Sequence, residues 1–406
     1  MRKLVLPAGL LLLFAAEIGK VYFIMPFPGS QRADTLSLAY FIHRNIWILR
    51  AAAILTIAAG IYLRWTRFGK LKRSATLLVL ALYAVIFYFF NYKFLADKMF
   101  YQPGVRSFVT QTENKVKPQQ LVLGVTINGE SKAYPIQIIG YHHQVQDTIG
   151  GTPVIVTYCT VCRTGRVYSP MLNGKKESFR LVGMDHFNAM FEDASSGSWW
   201  AQATGTAVTG KRKGQQLDLI PSEQVTLASW FRDHPDGTVL QPDTTYKKQY
   251  KDLEGFDNGT IKGYLEKRDS GSWQFKSWVV GISLGQASSA YDWNDLQQEK
   301  IIQDSLSGTP LLLALEPDSV SFHAWDRRLD GQTLSFQMKD SLTGWGAMMQ
   351  LLTDNNSGSF WNWNGKCISG TLKDKQLTKL QASQEFWHAW QHFQPATRQY
   401  HIKKNK

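Results

Sequence analysis

No convincing phosphate-binding loop or dinucleotide fingerprint occurs in the 406 residues, so nothing points to nucleotide chemistry. Acidic residues are scarce at the start: three Asp/Glu stand against thirteen Lys/Arg before residue 101. Beyond it the count is thirty-two basic to twenty-nine acidic, so most of the net charge of +13 belongs to the first hundred residues. The basic face of a nucleic-acid binder is therefore missing, and no nucleic-acid partner is expected. Cysteine is rare, three in the chain, yet Cys159 and Cys162 fall together in "VTYCTVCRTG". No small-residue cleavage pattern follows the first apolar run, which weighs against a removed signal peptide. Apolar residues are plentiful: 44% hydrophobic and 13% aromatic. That excludes wholesale disorder and supplies cores for two or three domains.

The first hundred residues hold three hydrophobic spans, roughly Leu4 to Met25, Ile46 to Leu63 and Ala75 to Phe90. Each is near the length a helix needs to cross about 30 Å of hydrocarbon. Arg64, Arg67, Lys70, Lys72 and Arg73 crowd the loop between the second and third spans. Short basic loops stay cytoplasmic, so the expected protein is multi-pass in the cell membrane, with everything after residue 100 outside the cytoplasm. Glu17 and Lys20, one helical turn apart, are expected to neutralise each other, and Arg50 to snorkel to the headgroups.

Residues 101–406 repeat themselves. "LVLGVTINGESKAYP" at 121–135 is echoed by "WVVGISLGQASSAYD" at 278–292, and "IGGTPVIV" at 149–156 by "LSGTPLLL" at 306–313, both at an offset of 157. "SSGSWWAQATGTAVTG" and "SWFRDHPDG" return as "NSGSFWNWNGKCISG" and "AWQHFQPAT". Two related units are expected at about 119–240 and 276–397, each β-rich α+β. Asn128-Gly129 between apolar runs is a hairpin signal. "PSEQVTLASWFRDH", with Ser222 as its cap, reads as a helix that lays a tryptophan on the sheet. The domain plan is thus 1–100 for three membrane helices with a cytoplasmic loop near 64–73, 101–245 for the first unit, and 246–406 for a connector plus the second.

The repeat is an internal control on the cysteines. At the same offset Cys159 falls on Glu316, Cys162 on Ser319, and His142 and His143 on Glu299 and Lys300. The frame is present twice and the sulfur and imidazole once, as expected of a site rather than a scaffold. Three chemistries fit the pair. A metal knuckle would use both thiolates, with further ligands from His142 or His143, His186 or Asp147, and suits copper or zinc. A redox pair would make Cys159 and Cys162 catalytic, with Cys159 at its strand end the more exposed nucleophile. A structural disulfide across so short a loop would add little stability. Arg163 would lower a thiol pKa or attract an anion. His186, Trp200 and Gln202 could wall a pocket, although the echo of Trp200 at Trp361 reads as core. Cys367 is read as core, and His234 as a helix-end residue. A binding module without chemistry, docking a small molecule or protein on its aromatic surface, is the reading from another class.

The stretch "AYPIQIIGYHHQVQDTIGGTPVIVTYCTVCRTGRVY", then "SGSWWAQATGTAVTGKRKGQQLDLIP" and "SWFRDHPDGTVL", resembles the domain family catalogued as domain of unknown function 3179. The resemblance covers about residues 120–240, with the second unit as a diverged copy. Its pattern selects His142 over His143 as companion of Cys159 and Cys162, which implies a Cys159, Cys162 and His142 metal set. Thr160 and Arg163 stand where the family commonly has Pro and Gly, and Gln146 where it usually has Asn. The family brings no assigned reaction.

Overall fold

Three apolar helices open the chain: α1 (Val5–Tyr22), α2 (Leu36–Arg64) and α3 (Lys70–Tyr92). The computed structural model describes residues 3–342 and 348–402. All three helices are long and apolar enough to cross a membrane. Leu11, Trp47, Leu55 and Leu78 lie exposed on their outer faces, as an apolar solvent would require. α1 and α2 touch closely because Gly60 is bare: a Cβ there would come within 2.7 Å of the Leu6 backbone.

The polar residues of these helices do not pair as their spacing predicts. Arg50 donates from Nε and Nη2 to Glu17 Oε2 and Oε1 at 3.0 and 2.7 Å. Lys20 instead donates to Asn91 Oδ1 at 2.6 Å, and Tyr83 to Glu17 Oε2 at 3.2 Å. Glu17 and Arg50 are buried. In a dry interior a carboxylate gains more from a bidentate guanidinium on a facing helix than from one ammonium on its own, so Arg50 does not snorkel.

The chain forms two compact units. One comprises Met1–Tyr101 with Leu172–Leu217, the other Gln102–Met171 with Asp218–Lys406. The first therefore joins the helices to a four-stranded antiparallel sheet, Phe179–Asp185, Asn188–Asp193, Trp199–Ala201 and Ala207–Thr209.

In the second unit the elements come in pairs. One sheet runs Glu223–Thr226, Leu121–Ile127, Glu130–Pro135, Thr238–Leu240, with Phe108–Val109 at its edge. The other runs Ala382–Phe386, Trp278–Leu284, Ala287–Asp292, Arg398–Tyr400, the same order from the corresponding segments. The hairpin at Asn128-Gly129 forms as predicted, both residues at positive φ. Helices Leu227–Asp233 and Trp387–Phe393 each lay an indole over a strand glycine. A Cβ on Gly124 would stand 2.2 Å from Trp230, and one on Gly281 equally close to Trp390. Ser222 is not the helix cap: Glu223–Thr226 pairs with Leu121–Gly124, so the helix starts later, capped by the Thr226 side chain on Ser229 N–H. The architecture is α+β and β-rich, as expected.

Gln224 and Gln384, which correspond to each other in the two sheets, meet at 3.4 Å. Around them each half reaches an edge strand of the other: Arg166 of strand Thr164–Tyr168 donates to Ser383 at 2.7 Å, and Ser321 Oγ accepts the Thr226 N–H at 2.9 Å.

Candidate functional site

Strand Thr152–Cys159 ends at the first cysteine, and Cys159 pairs with Thr164, which opens strand Thr164–Tyr168. Residues 160–163 form the connecting turn, closed by Arg163 N–H on Thr160 O at 3.2 Å. Arg163 takes a left-handed φ of 55°, a conformation that costs a non-glycine residue about 1 kcal/mol. Its side chain offsets that cost. The guanidinium, fully enclosed, donates to Gln384 Oε1 at 2.7 Å and to the carbonyls of Phe256 and Asp257 at 2.9 Å each. It also lies 3.8 Å from the ring centre of Trp278. Arg163 thus anchors the turn.

Lys276, which the sequence reading missed, brings a cation to the backbone between the two cysteines. Its ammonium donates to Val161 O, between the cysteines, at 2.6 Å and to Leu265 O at 2.7 Å. It also sits 4.4 Å above the Phe386 ring. Burial pulls its pKa below the ordinary lysine value, while Cys162 and Cys159 act in the opposite direction. Gln119 stands 157 residues earlier, so the repeat carried a signal in retrospect: a lysine gained in one half only. Phe386 N–H closes the far side on Cys162 O at 2.9 Å. Cys159 is 1% and Cys162 0% exposed, so the expectation of an exposed Cys159 nucleophile fails. Its strand end is covered by residues from the corresponding half of the unit.

His142 ends helix Ile136–His142 and His143 follows it at a left-handed φ of 59°; both are buried. His142 Nε2 meets Tyr250 Oη at 2.7 Å, its ring edge-on to Tyr141 and Tyr246. His143 Nδ1 meets Tyr158 O at 3.1 Å, and burial pushes its pKa down to about 4, which keeps it neutral near pH 7. The helix end touches the cysteine turn, since a Cβ on Gly140 would come 2.9 Å from Thr160 Cγ2. Asp147 is taken by Tyr134 Oη at 2.7 Å and Lys132 Nζ at 3.1 Å. Among the described residues no three His, Cys, Asp or Glu side chains gather in a group that could hold a metal ion. The three-ligand centre expected from Cys159, Cys162 and His142 is therefore not assembled.

His186, Trp200 and Gln202 belong to the other compact unit. His186 meets Asp185 Oδ1 at 3.0 Å, and Gln202 Oε1 accepts from Asn188 at 2.9 Å. Trp200 is core, its indole N–H on Asp193 at 2.8 Å. Cys367 is core too, packed with Trp361 and Leu377. His234 closes its helix, its N–H on Trp230 O at 2.8 Å.

Asp257, beside Arg163, is a carboxyl that only the fold brings here. Oδ2 accepts Leu121 N–H at 3.0 Å, while Oδ1 is buried and meets no donor among the described residues. Burial raises its pKa to about 6. A carboxyl raised above its unfolded value binds more protons folded than unfolded between about pH 4 and 6. Stability should therefore fall as pH rises through that window. Asp257→Asn should be more stable than wild type by about 2 kcal/mol at pH 7, a difference that vanishes near pH 4. Denaturant midpoints at the two pH values check this, and equal gains at both would refute it.

The family described as Protein of unknown function (DUF3179) matches over residues 101–397, a span that takes in both sets of paired elements. No curated protein and no solved structure matches the chain.

Proposed function

The chain belongs to the DUF3179 family, whose function is unknown, and from that premise we propose that Cys159 and Cys162 form a dithiol centre. The pair would cycle between two thiols and a disulfide by reaction with small molecules. The observation that carries this is the Lys276 ammonium, bound to the carbonyl between the two cysteines and electrostatically coupled to both. A neighbouring cation favours the thiolate, the form that reacts. Residues three apart across a turn lie within about 7 Å at Cα, which admits a disulfide. The loop it closes is so short that the bond gains little from chain entropy, which suits a bond made and broken in use. Burial of both sulfurs bars a bulky protein disulfide and leaves small reactants.

The second half of this unit serves as a diverged copy in which Glu316, at the position of Cys159, is tied to His323 at 2.6 Å and to Arg232. We further read α1–α3 as the anchor in the lipid bilayer, the basic loop between α2 and α3 as cytoplasmic, and the dithiol as lying outside the cytoplasm. Copper(I) is the second reading, favoured by two buried thiolates that could hold a soft ion without a third ligand. Zinc would need more ligands than the site collects.

Thiol alkylation across pH tests the proposal in the full chain. Lys276→Met should slow alkylation at pH 7 about tenfold by removing a cation that favours the thiolate. Mild oxidation should remove two thiols together. Identical pH profiles in the two proteins, with no disulfide formed, would end the dithiol reading; one equivalent of copper that protects both thiols would favour the second.

A further inference from the structure

Away from the cysteines, both halves of the β-rich unit line a cleft of about 450 Å³, and its lining includes Thr126, Glu223, His234, His323 and Lys379. On the first-half side two hydroxyls and an imidazole come together. Strands Leu121–Ile127 and Glu130–Pro135 place Thr126 opposite Ser131, and the two side-chain oxygens meet at 2.8 Å. Ser131 Oγ also meets His234 Nδ1 at 3.2 Å. The other ring nitrogen, Nε2, lies 3.7 Å from Glu223 Oε1. Trp230, seated over Gly124, packs on the imidazole with ring centres 3.9 Å apart and holds it in place. Ser131 is half-buried and Thr126 exposed, so the hydroxyl pair is within reach of a substrate.

Hydroxyl, imidazole and carboxylate in series are the parts of an activated nucleophile: attacking oxygen, base and orienter. Burial works against the Glu223 charge, but its contacts with His234, His323 and Lys379 outweigh that and hold its pKa well below the ordinary carboxylate range. Lys379 at 2.7 Å and His323 at 3.5 Å take Oε2, which leaves Oε1 for His234. An ionised carboxylate only accepts, so it favours the tautomer with the proton on Nε2 and the lone pair of Nδ1 toward Ser131. The contact of 3.7 Å is one short shift from a hydrogen bond, and catalytic hydrogen bonds commonly tighten when substrate binds. Beyond His323, Glu316 and Arg232 pair with each other at 2.6 Å.

The repeat separates frame from reagents here too. Ser283 and Ser288 pair in the second half as Thr126 and Ser131 do in the first, so the hydroxyls belong to the frame. Gln394 and Ser383 stand where the first half has His234 and Glu223, so base and orienter occur in one half only.

We propose that Ser131, His234 and Glu223 form a second site, which hydrolyses a small carboxylic ester. Ser131 Oγ attacks the carbonyl carbon and gives its proton to His234 Nδ1, while the carbonyl oxygen becomes an oxyanion that the Thr126 hydroxyl stabilises. The C–O bond to the leaving group then breaks, and the alcohol departs with the proton from His234. Water attacks the acyl-serine, its proton passes through His234 back to Ser131 Oγ, and the carboxylic acid leaves. The balance is ester plus water to acid plus alcohol. One hydroxyl stabilises the oxyanion where peptidases commonly use two amides, which selects an ester over the less reactive amide. Pro221, Phe322 and Leu380 in the lining suit a short acyl chain.

The probes are p-nitrophenyl butyrate, for turnover by the full chain in detergent, and a fluorophosphonate, for covalent capture of the nucleophile, located by peptide mass spectrometry. Wild type should turn over the ester many times and carry one phosphonyl group, on Ser131. Ser131→Ala and His234→Gln should each lower kcat about a hundredfold. The glutamine is the residue of the second half, so the melting temperature should hold. Glu223→Gln, which tests a positioning role, should lower kcat about tenfold with KM unchanged. Cys159→Ser/Cys162→Ser should hydrolyse at the wild-type rate, which keeps this site distinct from the dithiol. Labelling away from Ser131, or equal rates in wild type and either Ser131→Ala or a folded His234→Gln, overturns the proposal. A change in KM alone in Glu223→Gln removes the carboxylate from the set.

Discussion

Arg163→Leu is expected to cost the β-rich unit about 3–5 kcal/mol, because three buried acceptors lose their donor at once. The Phe256 and Asp257 carbonyls and Gln384 Oε1 would face a side chain that offers nothing. The stacking of guanidinium on Trp278 would go as well, a contribution of about 2 kcal/mol when desolvated. Leucine also inherits the left-handed φ without the anchoring that offsets it. Lysine should rescue only part of the loss, since an ammonium cannot reproduce a planar fork to three acceptors. The site should respond with the fold. Without the nearby cation the Asp257 carboxyl should titrate higher than its present value of about 6. Denaturant unfolding followed by near-UV circular dichroism measures the first effect, and a loss below about 1 kcal/mol would show that the turn stands without its anchor.

Arg50→Leu should destabilise the helix bundle by a comparable amount, about 3–5 kcal/mol, by leaving Glu17 buried without its counter-charge. Asn91 and Tyr83 still reach the carboxylate, yet neither neutralises it. Glu17→Leu with Arg50→Leu should recover most of the loss, since a well-packed apolar pair is often as stable as a buried ion pair. The comparison of single and double variants in detergent unfolding decides the matter. Additive losses would mean that the two residues act separately and that the buried pair contributes nothing as a pair. The apolar double variant also tests whether the cluster has any role beyond holding α1 to α2, because ionisable residues within spans often serve function.

Much of this arrangement was legible in particular stretches. The apolar runs announced three helices, Asn128-Gly129 announced the first hairpin, and the echo at an offset of 157 announced that the β-rich elements come in pairs. These signals are local, or repeat local ones: a run long enough to span, a dipeptide that tolerates positive φ, an alternation of two. The reading went wrong where partners are remote. Arg50 lies 33 residues from Glu17, and Arg163 lies 221 from Gln384. Spacing along one helix favoured Glu17 with Lys20, but spacing carries no record of which side chain another helix will offer. Ser222 failed as a cap for a related reason, because residues 223–226 were claimed by a strand from a hundred positions earlier.

The candidate site divides along the same line. That Cys159 and Cys162 share one turn, and that the second half lacks them, follows from residue identity and spacing, which composition and repeat preserve. That both sulfurs are buried, that Lys276 holds the carbonyl between the two cysteines, and that His142 turns to Tyr250 depended on contacts between segments far apart in the chain. Short-range order is governed by φ, ψ and the nearest few side chains. Burial, charge pairing and cavity shape are set by contacts between segments whose separation in the chain says nothing of their distance in space.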